Sequence, residues 1–140
     1  KGTSGAINDF LAGRISMMID TSSNFIESVK QGKIKALGVT SRERLPVLPD
    51  VPSISESPGF AAYEVSLWSG VLAPAGTPRS IIERLNQDIG AVMTATTMTE
   101  RMAAYGIQTT HSTPEEFAER IRLDTQKWAG VIHQSGARAD

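Results

Sequence analysis

Two clusters of small polar residues have the composition that an anion-binding site needs. The first is Lys1-Gly2-Thr3-Ser4, ahead of a segment in which Ile7, Phe10 and Leu11 recur at helical spacing. The start of a helix offers unpaired N–H groups and a partial positive charge, which suits a carboxylate. Gly2 lets a ligand approach the backbone, and Thr3 and Ser4 add hydroxyl donors. The same residues also describe a plain helix cap, and spacing alone leaves both readings open. The second cluster is Asp20-Thr21-Ser22-Ser23, between an apolar run that reads as a strand and a second helical segment. In open α/β sheets, ligands bind outside the carboxyl ends of the strands. Thr21 and Ser22 can donate there. Asp20 would repel an anion, but it can accept from an ammonium group or a bridging water, or orient the donors around it. A simple cap stands open here too.

Other chemistry finds no support. The chain has no cysteine, which excludes disulfides and thiolate metal sites. His111 and His133 have no metal-ligand spacing and read as surface residues. No serine has the strand–turn–helix setting of a nucleophile elbow. Glu115 and Glu116 read as first-turn carboxylates that complement a helix dipole, and Asp88 as a residue on the polar side of its helix. The glycines form no dinucleotide or phosphate-loop fingerprint, so no cofactor is implied. With 14 basic and 15 acidic side chains and a net charge of −1, nothing draws the chain to nucleic acid or an acidic membrane.

The elements that must position these residues alternate. A helix spans Ile7 to Leu11, capped by Thr3 or Ser4 and ended by Gly13. Ile15 to Ile19 reads as a strand. Phe25, Ile26 and Val29 make a helical face ended near Gly32, and Ile34 to Thr40 reads as another strand. That order predicts an α/β fold with a parallel sheet. Pro46, Pro49, Pro52 and Pro58 then enforce an irregular connection, with one helical turn near Ser53 to Glu56. Tyr63 to Leu72 reads as a strand. Thr77 followed by Pro78 predicts a helix start, with Ile81, Ile82, Leu85, Ile89, Val92 and Met93 as its apolar face. A second helix is expected from Thr97 to Tyr105, stopped by Gly106, and a short strand over Ile107 to Thr110. Thr113, Pro114 and Glu116 predict a reciprocally capped last helix, buried through Phe117, Ile121, Trp128, Val131 and Ile132 and ended by Gly136. At 140 residues, 40% hydrophobic and 21% charged, the chain is of globular composition and long enough for a core. It begins at Lys1 rather than methionine, so a targeting segment is expected to have preceded it.

The run Gly32-Lys33-Ile34-Lys35-Ala36-Leu37-Gly38-Val39-Thr40-Ser41, with Arg44, resembles a hallmark of the Bug-type receptors of tripartite tricarboxylate transporters. Leu48-Pro49-Asp50-Val51-Pro52-Ser53-Ile54-Ser55-Glu56 is similar to their proline-punctuated motif. Trp68-Ser69-Gly70, Ala73-Pro74-Ala75-Gly76-Thr77-Pro78 and Ser112-Thr113-Pro114-Glu115-Glu116-Phe117 resemble later landmarks in the same order. The resemblance implies a type II periplasmic-binding-protein-like fold, of which this chain holds part of the second lobe and the segment returning to the first. It implies residues 1–62 in the second lobe, 63–76 crossing the hinge and 77–140 with the first lobe. It also implies a periplasmic carrier of small carboxylates that works with membrane components of a secondary transporter, with Gly2, Thr3, Ser4, Asp20, Thr21 and Ser22 lining the cleft. The last helices would lack their cover here, so the chain is expected to pair with itself or rearrange. The competing classes are an effector domain of a transcription regulator and an enzyme on the same fold. A recognition helix or a nucleophile would mark them, and this sequence carries neither.

Overall fold

Helices form where the local signals are complete. A computed structural model describes residues 3–138, with α1 at Thr3–Leu11, α2 at Ile26–Lys30, α3 at Arg79–Thr94, α4 at Thr96–Ala104 and α5 at Pro114–Ser135. The α5 start follows the sequence closely. Thr113 Oγ1 accepts from Glu116 N at 3.2 Å, Glu116 Oε2 accepts from Thr113 N at 2.8 Å, and Pro114 takes the first helical position. Gly136 closes the helix in the left-handed conformation, at φ 68°.

Three helix starts differ from the sequence reading. α1 already includes Thr3 and Ser4, so neither is its cap; its first turn is made of them. Pro78 rather than Thr77 is the cap of α3, and Thr77 Oγ1 donates instead to Pro74 O at 2.8 Å, closing the turn around Gly76. α4 begins at Thr96, which places Thr97 within its first turn.

None of the expected strands forms a ladder among the described residues, and Ile15, Ser16, Ile34 and Thr40 lie in bends. Residues 17–20, 35–38, 63–74 and 107–113 contain no helix, turn or bend. Among the described residues the sole β-pairing is a parallel bridge between Val39 and Ser53. Their apolar side chains are correspondingly open, with Ile19 74% and Leu67 81% exposed. A strand satisfies its backbone and covers its side chains only through neighbouring strands and layers, so the pattern of a strand does not make a sheet by itself.

The chain divides into two compact units. One holds residues 1–70 and 99–108, the other 71–98 and 109–140. In the first, Ile26 and Val51 are the buried apolar residues, joined by the buried hydroxyl of Ser53. In the second, α3 contacts α5 and also meets the segment just before it, where Asn86 Nδ2 donates to Ser112 O at 2.8 Å and buried Gly90 lies against His111. Phe117, Ile121 and Trp128 are half-buried on α5, whereas Val131 and Ile132 remain exposed, contrary to the sequence expectation. Arg79 joins the two helix starts, reaching Glu83 at 2.7 Å and Glu115 at 2.6 Å.

Candidate functional site

The turn after residues 17–20 is built around Asp20. Its Oδ1 accepts from Thr21 N at 2.6 Å, from Thr21 Oγ1 at 3.3 Å and from Asn24 Nδ2 at 3.3 Å. Asn24 Nδ2 also donates to Thr21 Oγ1 at 3.0 Å. Oδ1 of Asp20 therefore holds Thr21 and Asn24 within its own turn. The turn runs into a short 3-10 segment, Ser22–Asn24, and then α2. Among the described residues, no acceptor takes the N–H groups or hydroxyls of Ser22 and Ser23. Asn24 is the member that sequence reasoning left out. Its position four residues after Asp20 was the available signal, because a short amide side chain at that distance folds back on a carboxylate.

Two further contacts fix this turn. Phe10 of α1 meets Phe25 edge to face, with centroids 5.8 Å apart and planes at 77°. That contact ties the helix carrying Thr3 and Ser4 to the element carrying Thr21 and Ser22. Gly106, at φ +69°, lies so close that a Cβ there would stand 2.9 Å from Ser22 Oγ and 3.1 Å from Ile26 Cδ1. The glycine that stops α4 thus also sets the position of Ser22, a long-range role that its local pattern gave no sign of. Thr3 and Ser4 are exposed in the first turn of α1, and no direct bond joins them to Asp20 or Thr21 among the described residues. Gly2 lies outside the described residues.

The connection that follows is pinned by polar contacts. Ile54 N donates to Val39 O and Val39 N to Pro52 O, both at 2.9 Å. Ser53 Oγ donates to Ser41 O at 2.6 Å. Arg44 grips Glu56 through two parallel bonds and donates to Pro49 O at 3.0 Å. The Arg44 guanidinium, followed by the Ser53 N–H, holds the Glu56 carboxyl down at about 2. The proline-rich stretch is thus a fixed brace beside residues 35–40. No group of His, Asp and Glu able to hold a metal occurs among the described residues, and no helix there is long and apolar enough to cross a membrane.

Comparison with known proteins gives this arrangement a context. The family model described as "Tripartite tricarboxylate transporter family receptor" matches residues 1–137. A UPF0065 protein from the tcbD-tcbE intergenic region of Pseudomonas sp. (strain P51) is 41% identical over 94% of this chain and 39% of its own length. The solved periplasmic binding protein BugD is 32% identical with a TM-score of 0.86, over 100% of this chain and 47% of its own. R. palustris Rpa4515, solved with adipate, is 28% identical with a TM-score of 0.86, over 97% of this chain and 45% of its own. The chain spans less than half the length of each. Its fold is that of the corresponding portion of a type II periplasmic-binding-protein-like α/β protein.

Proposed function

Since the chain belongs to the tripartite tricarboxylate transporter receptor family, we propose that it forms one wall of the ligand cleft in a periplasmic receptor for a small carboxylate. The receptor captures its ligand without chemical change and delivers it to membrane components of a secondary transporter. The ligand oxygens are met by Gly2, by Thr3 and Ser4 of the first turn of α1, and by the turn carrying Thr21 and Ser22. Asp20 acts behind them by holding Thr21 and Asn24 in place.

One observation carries the anion reading: the donors of Ser22 and Ser23 are unspent while Oδ1 of the neighbouring Asp20 is engaged within its own turn. Oriented N–H and O–H groups with no internal acceptor are the groups that a carboxylate replaces water on. The adipate held by Rpa4515 supports a dicarboxylate of similar size. In this reading residues 1–62 belong to the second lobe, 63–76 cross the hinge and 77–140 return towards the first. The break after residue 70 supports the crossing, and residues 99–108 rejoin the earlier unit.

The test is a thermal-shift screen on a family-length receptor in which these 140 residues replace the matching portion of BugD. Adipate, other dicarboxylates and citrate are compared with their methyl esters. At least one acid should raise the melting temperature in a concentration-dependent way while its ester does not. Stabilisation by none of the acids, in a chimera that folds, removes the proposal.

A further inference from the structure

Gly106 ends α4 with a complete cap. Gly106 N donates to Ala103 O at 2.9 Å and Ile107 N to Met102 O at 3.0 Å, with the glycine at φ 69°. Those paired bonds close a helix on a left-handed residue and fix where its α-carbon stands. Residues 99–108 fold with residues 1–70, so this helix end belongs to the unit that carries the Asp20 turn.

Three side chains face the space that a Cβ on Gly106 would take. It would stand 2.9 Å from Ser22 Oγ, 3.1 Å from Ile26 Cδ1 and 3.5 Å from Val47 Cγ1. The last distance is ordinary van der Waals contact. Ile26 is buried in the core of this unit and has little room to yield. Ser22 is half-buried, and its carbonyl accepts from Phe25 N at 2.9 Å, which holds its backbone. Its hydroxyl turns about one bond. The group that must give way to a side chain at 106 is therefore the Ser22 hydroxyl. Helix stopping does not require this crowding. Gly13, Gly32 and Gly136 also have positive φ, and a Cβ on any of them would meet nothing within 4 Å.

We infer that Gly106 is a positioning residue for ligand binding: by carrying no side chain it leaves the Ser22 hydroxyl free to turn to the ligand. The inference rests on the reading of the Ser22 turn as part of a carboxylate site. Its specific content is that position 106 acts on affinity through one hydroxyl and not through the stability of the fold.

The test is titration calorimetry on the family-length chimera with adipate, succinate and citrate, each variant checked for its fold by circular dichroism. For an acid that the unsubstituted chimera binds, Gly106→Ala and Ser22→Ala should each weaken affinity about tenfold, the worth of one hydrogen bond to a charged group. The double variant should bind no more weakly than Ser22→Ala alone, because the hydroxyl that Gly106→Ala displaces is already gone. Gly32→Ala supplies the backbone strain without the crowding, at φ 67° with open space around its Cβ. It should lower the melting temperature and keep the unsubstituted affinity within about twofold. Should Gly106→Ala alone not fold, Ile26→Val, which deletes the Cδ1 that it meets, is added to every arm. Additive losses in the double variant overturn the inference, as does an equal loss from Gly32→Ala or an unchanged affinity in Gly106→Ala. A folded chimera that binds none of the acids instead removes the ligand reading, and this inference with it.

Discussion

Arg44 and Glu56, twelve residues apart, are joined by two parallel hydrogen bonds, Nε to Oε1 at 2.8 Å and Nη2 to Oε2 at 2.6 Å. Fork-to-fork geometry fixes direction as well as distance. Because Glu56 Oε1 also accepts from Ser53 N at 2.9 Å, the pair locks the cap of the Ile54–Glu56 turn to the start of the brace.

The Glu56 carboxyl is depressed from 4.5 to about 2 by the Arg44 hydrogen bond first and the Ser53 N–H second. A folded-state pKa below the unfolded value contributes stability that is present above the unfolded value and lost as pH falls through the folded one. The chain should therefore lose stability progressively between pH 4.5 and about 2 from this group. Thermal unfolding across that window should show a shallower fall for Glu56→Gln than for the wild type. Identical slopes would show that the pair carries no linked proton.

Gly106→Ala should destabilise the first unit by about 1–3 kcal/mol, since it combines a positive φ with a Cβ that meets Ser22 and Ile26. Urea denaturation followed by circular dichroism measures it. In a ligand-competent receptor the same change should also lower carboxylate affinity, because Ser22 must shift.

Two helical glycines should respond in opposite ways to the same substitution. Gly130 has nothing within 4 Å of a Cβ, so Gly130→Ala should stabilise by about 1 kcal/mol through helix propensity. A Cβ on Gly90 would stand 2.6 Å from His111 Nε2, which bonds Asn86 O and Oδ1, both at 3.2 Å. Gly90→Ala should therefore gain less than Gly130→Ala or lose stability outright. In a His111→Ala background it should approach the Gly130→Ala gain. A double-mutant cycle in urea that returns no coupling would contradict this packing.

Asn24→Ala removes the amide that bridges Asp20 and Thr21. In the family-length chimera it should weaken carboxylate binding on the order of tenfold, the worth of one hydrogen bond to a charged group. Titration calorimetry showing unchanged affinity would place the ligand elsewhere than this turn.

The residues by themselves determined what depends on near neighbours. Thr113, Pro114 and Glu116 specify the α5 start because every group they satisfy lies within one turn. Gly13, Gly32, Gly106 and Gly136 end helices because only a residue without Cβ adopts their positive φ cheaply. The Thr113 logic repeats at Ser53 and Glu56, so the single turn among the prolines was legible as well. The order of motifs was enough to identify the family. Tertiary structure alone decided which partner each group found. Nothing local announces that Arg44 meets Glu56 or that Gly106 abuts Ser22. The strand-like runs at residues 17–20, 35–38 and 63–74 mark the same boundary from the other side. A helix closes its hydrogen bonds within its own segment, whereas a strand is completed only by chain that lies elsewhere.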